Sequence, residues 1–376
     1  MKIEHLLWTS ATGWQGLESS TMHNADLVIF FTPSDTLEEN KLPEELRKFY
    51  PKARVVGSSS TAEIFGAHAY QMSCVAIAIS FEHSFVKVEK IHVDDVNNSY
   101  LAGKELIQKL PATGLKHVFL LSDALKLDAT QLVEGVVDNL PPSTTLTGGL
   151  AGDDVRFEKS YIYCDGEIEK NGAIAVGFYG DRLKINFACE AGWKPYGPER
   201  IATKTSNNIL YELDGKPALQ LYKDFLGRFA ERLPSIGLLY PLAVRPANSG
   251  MQFARTIVAI DEKTQSITLA GGVPQGSFTQ FMMTSASQLI NGAEMSAKKV
   301  KNSNQDELVL LLSCTARMQV LKQRVDEELE AVQSIFGDNT KLVGFYTYGE
   351  ISPRGLTQKC HLQNQTMAIT TIKEET

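Results

Sequence analysis

The sequence predicts an α/β protein of two domains, in which repeated strand–helix–strand units form mixed β-sheets flanked by helices. Three observations predict this class. Three segments of the chain resemble one another, an apolar run and a helical pattern precede each segment, and a second apolar run follows it. Repetition at this level indicates one supersecondary unit that is used several times.

The three similar segments share a glycine that is followed six positions later by an acidic residue. The pairs are Gly57 and Glu63 in residues 55–64, Gly148 and Asp154 in residues 146–154, and Gly344 and Glu350 in residues 342–351. Because glycine has no Cβ, it tolerates positive φ and the close approach of another group. The segments are therefore predicted to end strands in glycine loops, which either bind a ligand or only bend the chain.

Each unit begins with an aliphatic run that is short enough for a buried strand. These runs are residues 26–32, 116–122 and 307–313. Stretches rich in Leu, Glu, Lys and Gln follow, and their apolar residues recur at helical spacing. The predicted helices are residues 37–49, 130–140 and 320–336. After each glycine segment a closing strand is predicted, at residues 74–80, 173–178 and 366–372.

The pattern changes after residue 181. A strand is predicted at residues 183–190, then a turn at 193–197 and a helix at 205–225, with Ser206 as its N-cap. Three further strands are predicted, at residues 237–246, 254–261 and 266–270. With 376 residues the chain exceeds what one compact core usually supports. We therefore predict two domains, residues 1–204 and 205–376.

Composition excludes several classes of protein. A net charge of −7, without a dense basic stripe, argues against a nucleic-acid partner. No long uncharged apolar stretch is present, so we expect no membrane span and a cytoplasmic location. The five cysteines form no C-x-x-C pair, which favours free, buried thiols.

In this order and spacing, the segments resemble the FIST family, with an N-terminal and a C-terminal FIST domain. The residues that match the family pattern are Gly57, Ser58, Ser59, Ala62, Glu63, Gly148, Gly149, Ala151, Gly152, Arg245, Gly271, Gly272, Gly344, Gly349, Glu350, Asn364, Gln365 and Thr366. Each motif is short, so the specificity lies in their order. The resemblance covers nearly the full chain.

The resemblance implies a sensory module for a small ligand in bacterial signal transduction. Its sharpest form is a NosP-type nitric-oxide sensor that binds haem b. Such a protein regulates a partner histidine kinase or a cyclic-di-GMP enzyme, that is, a diguanylate cyclase or phosphodiesterase. The alternative is a sensor of an amino acid or another metabolite without haem.

Haem needs an axial ligand, usually histidine. Family members often carry a histidine where this chain has Gln363, and His361 would share a face with that position in an extended strand. His361 is therefore the first candidate, and His68 and His117 are the next. A solvent-facing or hydrogen-bonded role is the alternative for each.

The metabolite hypothesis rests on acidic residues that would meet where the units join. Arg245 would offer a bidentate fork to a ligand carboxylate. For haem or another flat ligand, Trp193 with Tyr196 would line an apolar pocket, or these aromatic residues would fill the gap between the two domains. The predicted ligand-binding residues are Gly57, Ser58, Glu63, Gly148, Gly149, Asp154, Trp193, Tyr196, Arg245, Gly344, Tyr346, Glu350 and Asn364. Alternatively, the carboxylates only accept hydrogen bonds from their own glycine loops.

Catalysis has no support in the sequence. Residues 271–277 are rich in glycine and resemble a phosphate cradle, but they lack the lysine of a P-loop. Neither a Gly-x-Ser-x-Gly elbow nor a His-Glu-x-x-His motif occurs. We therefore expect no enzymatic activity.

Overall fold

A computed structural model describes residues 1–17, 20, 22–39, 41–247, 249–301, 308–354 and 359–375. It confirms the predicted α/β class, with mixed sheets flanked by helices. In chain order, the strands are β1 (Lys2–Thr9), β2 (Gly13–Gln15), β3 (Leu27–Pro33), β4 (Arg54–Ser60), β5 (Glu63–Phe65), β6 (His68–Tyr70), β7 (Ser73–Ser80), β8 (Phe85–His92), β9 (Leu115–Ser122), β10 (Thr145–Leu150), β11 (Ile162–Cys164), β12 (Glu167–Glu169), β13 (Gly172–Tyr179), β14 (Leu183–Glu190), β15 (Lys194–Ser206), β16 (Ile209–Leu213), β17 (Lys216–Pro217), β18 (Leu242–Arg245), β19 (Phe253–Arg255), β20 (Ile257–Asp261), β21 (Ser266–Leu269), β22 (Phe278–Met283), β23 (Leu308–Cys314), β24 (Leu342–Thr347), β25 (Glu350–Pro353), β26 (Cys360–Gln363) and β27 (Met367–Glu374). The α-helices are α1 (Ser34–Glu39), α2 (Lys41–Phe49), α3 (Ser99–Lys109), α4 (Ala129–Val137), α5 (Ala218–Leu226), α6 (Ala286–Val300), α7 (Thr315–Leu321) and α8 (Val325–Phe336).

Three units repeat along the chain. In each unit a buried strand pairs in parallel with the strand that follows its helical connection: β3 with β4, β9 with β10, and β23 with β24. A third strand then returns antiparallel beside the first, namely β7, β13 and β27. The predicted repeat is therefore present in the fold. Residue 307, the first of one predicted strand, lies outside the described residues.

Each unit exchanges strands with its neighbours in cyclic order. The hairpin β5–β6 pairs with β24, the hairpin β11–β12 with β4, and the hairpin β25–β26 with β10. The outer strands β8 and β14 likewise join the next sheets, through β13 and β27, while β1 pairs with β7. The three sheets are thus closed into a ring, in which none of the units completes its own sheet.

The centre of the ring is a packed apolar core. The rings of Phe31 in the first unit and Phe345 in the third stack at 4.2 Å between centroids. Phe119, Ile174 and Val176 of the second unit pack into the same cluster and are fully buried. Burial of this size supplies most of the favourable free energy of folding. The ring therefore holds its units together through this apolar core.

The repeated glycines lie inside strands, so the prediction of glycine loops is wrong. Gly57, Gly148 and Gly344 belong to β4, β10 and β24. A Cβ added at Gly148 would lie 1.9 Å from the carbonyl oxygen of Leu120, and one at Gly344 would lie 1.8 Å from that of Leu311. Glycine is required because the parallel partner strand approaches too closely for any side chain.

An additional sheet is inserted between the second and third units. It comprises β15–β22 and packs against α5. The helix predicted over residues 205–225 is wrong in its first half, where the chain forms β16 and β17. Asn207 and Asp214 both adopt positive φ, and Gly215 follows Asp214, so two tight turns replace the predicted helical start. The predicted boundary after residue 204 falls within β15.

Among the described residues, no helix is long and apolar enough to cross a membrane. All five cysteines are buried and free, as predicted.

Candidate functional site

Two adjoining cavities lie where the inserted sheet meets the second and third units. Their volumes are about 370 and about 440 Å³. Asp128, Thr130, Asn207 and Leu362 border both cavities. Asp128 and Thr130 belong to the second unit, Asn207 to a turn of the inserted sheet, and Leu362 to the third unit. The shared wall therefore joins three parts of the fold.

The smaller cavity, which we call the apolar cavity, is walled mainly by hydrocarbon and aromatic side chains. They include Leu125, Leu127, Leu150, Leu238, Val258 and Leu269. Phe157 and Tyr348 close one side, with their rings stacked at 4.5 Å between centroids. Such a wall suits an apolar ligand group.

The larger cavity, which we call the polar cavity, contains a buried guanidinium group. Arg255 is only 4% exposed and lies over the ring of Phe253, at 4.9 Å from its centroid. Its Nε donates to the carbonyl oxygen of Gly272 at 3.2 Å, and its Nη1 donates to that of Leu362 at 3.0 Å. Burial lowers the pKa of Arg255 to about 10, so the group stays charged at neutral pH. Glu134 borders the same cavity.

His361 also borders the polar cavity. Its ring meets the ring of Phe253 edge to face, at 5.2 Å between centroids. Burial lowers the pKa of His361 to about 4, and the positive charges of Lys359 and Arg255 act in the same direction. The imidazole is therefore neutral at pH 7, which is the form that can bind a metal ion.

The other two candidate haem ligands lie away from both cavities. His68 is exposed, and its Nδ1 lies 3.0 Å from a carboxylate oxygen of Asp326. His117 is fully buried and both ring nitrogens are engaged, by the hydroxyls of Thr145 at 2.7 Å and Thr147 at 3.0 Å. The hydrogen-bonded alternative therefore describes both residues, and His117 presents no free nitrogen to a cofactor.

Glu63 and Glu350 occupy equivalent, fully buried positions in the first and third units. Glu63 accepts hydrogen bonds from the hydroxyl and amide of Ser73, and Glu350 accepts them from the hydroxyl and amide of Thr366. Ser73 begins a closing strand and Thr366 precedes one. Both carboxyl groups therefore tie the hairpin of a unit to its closing strand, and neither borders the apolar or the polar cavity.

Asp154 does not hold the third equivalent position. Strand pairing aligns Glu63, Glu350 and Ile162, each opposite the residue that follows a repeated glycine. Ile162 comes fourteen residues after Gly148 instead of six, because the second unit has a longer loop there. Asp154 is exposed in that loop, at φ 60°. The expected meeting of three acidic residues is therefore wrong.

Arg245 lies near the surface, away from the cavity walls. Its guanidinium forms an ion pair with Glu199 at 2.8 Å and lies over the ring of Phe278. Arg245 and Arg255 end neighbouring strands, but of the two only Arg255 borders the polar cavity. The fork predicted for a ligand carboxylate is thus occupied by a protein carboxylate.

The predicted aromatic wall of Trp193 and Tyr196 is also absent from both cavities. Trp193 is buried in a cluster with Ala243 and Met282, whereas Tyr196 is 59% exposed. Tyr346 is buried, and its hydroxyl donates to Glu328 at 3.2 Å. These aromatic residues contribute to packing between elements or to the surface.

The remaining predicted ligand-binding residues are buried within the ring. Gly149 pairs with Glu350 across neighbouring strands. Ser58 and Asn364 are buried, and their side-chain polar atoms have no hydrogen-bond partner among the described residues. None of them borders the two cavities.

Sequence reasoning missed Arg255, Asn207 and Thr130. Arg255 stands near the start of a largely apolar predicted strand, and a charge in such a pattern is a signal that could have been used. Gly271 and Gly272, which match the family pattern, do border the cavities. A Cβ at Gly271 would lie 2.9 Å from Nε of Arg255, so this glycine makes room for the guanidinium.

Comparison with known families gives two adjacent matches. Residues 26–216 match the FIST N domain, and residues 218–353 match the FIST C domain. The chain belongs to the FIST family. Both matched regions of this FIST protein contribute to the cavities, since Asn207 lies in the first and Arg255 in the second.

Several proteins similar to this chain are named as uncharacterized proteins. One, from Methanocaldococcus jannaschii, is 24% identical over 81% of this chain and 63% of its own length. Another, from Mycobacterium tuberculosis, is 23% identical over 62% of each chain. The FIST chain therefore spans less than two thirds of these relatives.

Among solved structures, a cyanuric acid hydrolase from A. caulinodans aligns with 100% of this chain and 99% of its own, at a TM-score of 0.39 and 7% identity. A second cyanuric acid hydrolase structure aligns with 99% of each chain, at a TM-score of 0.34 and 9% identity.

Proposed function

We propose that this protein is a cytoplasmic small-ligand sensor that binds its ligand in the two adjoining cavities and regulates a partner signalling protein, without catalysis of its own. The observation that supports this proposal is the position of the cavities between the inserted sheet and the ring. A ligand held there contacts both parts of the protein at once. Its binding can therefore favour one arrangement of the two parts over another.

The contacts between the inserted sheet and the ring lie close to the cavity walls. The amide of Gly272 donates to the hydroxyl of Thr130 at 3.1 Å. The side-chain amide of Gln365 donates to the carbonyl oxygen of Leu238 and to the hydroxyl of Thr256, both at 3.0 Å. A ligand that displaces these walls changes the hydrogen bonds that join the two parts, which gives the signal a physical route.

The site is tested by thermal-shift screening against amino acids and other small metabolites. A ligand that binds only the native state raises the melting temperature. Val258 is half-buried on the wall of the apolar cavity, so Val258→Trp should fill part of the space and reduce the shift. Ala259→Trp is the matched control, because Ala259 is exposed on the same strand. An equal shift in both variants would place the ligand elsewhere.

Haem is the second candidate ligand, and the position of His361 favours it. The neutral imidazole of His361 fits the role of a single axial ligand, and Arg255 in the same cavity fits an acidic side group of the macrocycle. Asp128 and Glu134 make one wall of the polar cavity acidic, so the macrocycle would need the apolar cavity beyond Leu362 for its hydrocarbon surface. When bound, haem would supply an iron centre that binds nitric oxide.

Reconstitution with haem tests this candidate. We expect a Soret band that shifts when nitric oxide is added, and that weakens in His361→Ala. His68→Ala is the control, because His68 is exposed and distant from the cavities. A featureless visible spectrum of the haem-supplied wild type would eliminate haem and leave the amino-acid or metabolite sensor.

The proposed partner is a histidine kinase or a diguanylate cyclase or phosphodiesterase. The measurement is the rate of kinase autophosphorylation, or of cyclic-di-GMP turnover, with this protein added in its free and ligand-bound forms. We expect the two forms to differ in their effect. Identical rates with both forms would contradict signalling through that partner.

A further inference from the structure

Two arginines are buried in the described part of the chain, and they differ in whether a carboxylate forms an ion pair with them. Arg317 is fully buried and forms an ion pair with the fully buried Glu328, with Nε donating to the carboxylate at 2.8 Å. Arg255 is buried to nearly the same degree, yet no carboxylate of the described residues forms an ion pair with it. Its hydrogen bonds go to carbonyl oxygens, and its Nη2 donates to none of the described residues.

A buried charge without a counter-ion is costly, because carbonyl dipoles replace only part of the lost hydration. Such a charge persists where something else compensates it. The guanidinium of Arg255 borders the polar cavity, so an anion in that cavity can reach it directly. Glu134 acts on this charge only from a distance, without an ion pair, so the contrast with Arg317 indicates that a ligand is the anion that contacts Arg255.

The rest of the polar cavity limits the charge of that anion. Asp128 and Glu134 border the same space, and each would repel a dianion such as phosphate. The two carboxyl groups oppose any anion that Arg255 attracts, so an anion with a single negative charge is opposed least. A carboxylate matches the planar guanidinium and carries one charge at neutral pH.

The apolar cavity indicates which kind of chemical group the carboxylate of the ligand is attached to. Leu362 accepts a hydrogen bond from Arg255 through its carbonyl oxygen and borders both cavities. A ligand whose carboxylate meets Arg255 therefore has an apolar cavity beside its other end, closed by Phe157 and Tyr348. We propose that the site takes an amphiphilic monocarboxylate, with its carboxylate on Arg255 and its hydrocarbon body in the apolar cavity. This inference rests on the proposed sensory function.

Calorimetric titration with straight-chain carboxylates from propionate to decanoate tests the inference. Affinity should rise about fourfold for each added methylene while the apolar cavity is being filled, because each buried methylene contributes about 0.8 kcal/mol. The matched alcohols should bind at least about tenfold more weakly, since they lack the charge-assisted hydrogen bond. Phosphate should bind more weakly than any carboxylate of the upper half of the series.

Protein variants test separately the binding of the carboxylate and the binding of the hydrocarbon body of the ligand. Arg255→Met should weaken every carboxylate at least about tenfold, whereas Arg245→Met, at the surface ion pair, should leave affinity unchanged. Val258→Trp should weaken decanoate but not propionate, and Ala259→Trp should affect neither. Arg255→Met should unfold at or above the wild-type melting temperature, because it removes an unpaired buried charge. Arg255→Lys should recover only part of the affinity, because lysine lacks the planar fork.

Equal carboxylate affinity in Arg255→Met and wild type would overturn the inference, as would tighter binding of phosphate. If the carboxylates fail to bind while another metabolite gives a thermal shift that Val258→Trp reduces, the inference fails and the proposed function stands. If no ligand of either experiment binds, both fail.

Discussion

At the scale of single residues, burial sets the charge of two carboxyl groups inside the ring. Burial raises the pKa of Glu63 and of Glu350 to about 8, against hydrogen bonds from Ser73 and Thr366 that act in the opposite direction. Both groups therefore hold a proton in the folded protein at neutral pH. In the unfolded chain the same groups are ionised above about pH 4.5. The difference makes the stability of the ring depend on pH.

Glu63→Gln should remove part of this dependence. Between about pH 4.5 and pH 8 the folded carboxyl keeps a proton that the unfolded one has lost. The free energy of unfolding of the wild type therefore falls as pH rises, by at most about 1.4 kcal/mol per pH unit from this group. The contribution is fully present below pH 4.5 and is lost as pH approaches 8. Glutamine mimics the protonated form, so the variant should be more stable than wild type at pH 8 and similar at pH 5.

Urea unfolding at four pH values between 5 and 8 measures the two slopes. Glu39→Gln is the control, because Glu39 is exposed and should change neither slope. Parallel pH profiles for wild type and Glu63→Gln would show that Glu63 is ionised in the folded state.

Residue spacing predicted some of these positions and failed at others. Gly57, Gly148 and Gly344 were correctly matched, because no insertion separates them from their strands. Asp154 was matched to Glu63 only because each follows a repeated glycine by six residues. This spacing does not reveal the longer loop of the second unit, which places Ile162 at the position equivalent to Glu63. Arg245 and Arg255 end neighbouring strands in similar patterns, and only tertiary packing shows which one borders a cavity.

At the scale of elements, β10 requires glycine at position 148, because the backbone of its parallel neighbour β9 lies very close to this residue. Gly148→Ala should destabilise the protein by at least about 2 kcal/mol, because the new Cβ meets a backbone oxygen that cannot move independently of β9. Gly250→Ala is the matched control, since the space around Gly250 is open, and it should change the free energy of unfolding by less than about 0.5 kcal/mol. Equal urea midpoints for the two variants would contradict the close approach.

The buried strands were the elements that the sequence indicated best. Continuous aliphatic runs identified β3, β9 and β23, since strands covered on both faces need apolar residues at every position. Strands β16 and β17 of the inserted sheet were misassigned as a helix. There the hairpin turns at Asn207 and Asp214 decide the structure, and their effect outweighs the helical pattern of the flanking residues.

At the scale of the whole molecule, the cyclic exchange of strands predicts that the protein tolerates circular permutation, in which the two termini are joined and the chain is cut at another position. The nitrogen of Met1 lies 3.0 Å from a carboxylate oxygen of Glu374, at the end of β27. A permutant that joins residue 375 to Met1 by a short glycine-rich linker, and starts within the exposed residues 111–114, should therefore fold. Opening the chain between Gly148 and Gly149 should prevent folding, because it cuts a buried strand. Near-ultraviolet circular dichroism and cooperative melting measure both outcomes, and failure of the first permutant would contradict the ring.

The repeat of three units was visible in the sequence, but the way the units combine was not. Pairing of β5 with β24 joins residues from opposite ends of the chain, and local patterns carry no information about such partners. The units were expected to surround a hollow, whereas Phe31, Phe119 and Phe345 fill their centre. The cavities lie instead beside the inserted sheet, whose role in the site only its packing against the ring reveals.

The exchange of hairpins also affects how the protein folds while the ribosome synthesises it. The β5–β6 hairpin is made well before the edge it must cover, on β24, which emerges on the order of tens of seconds later at usual rates. During that interval the nascent chain carries unpaired strand edges, which promote aggregation. We expect the emerging polypeptide to depend on chaperones until β24 leaves the exit tunnel.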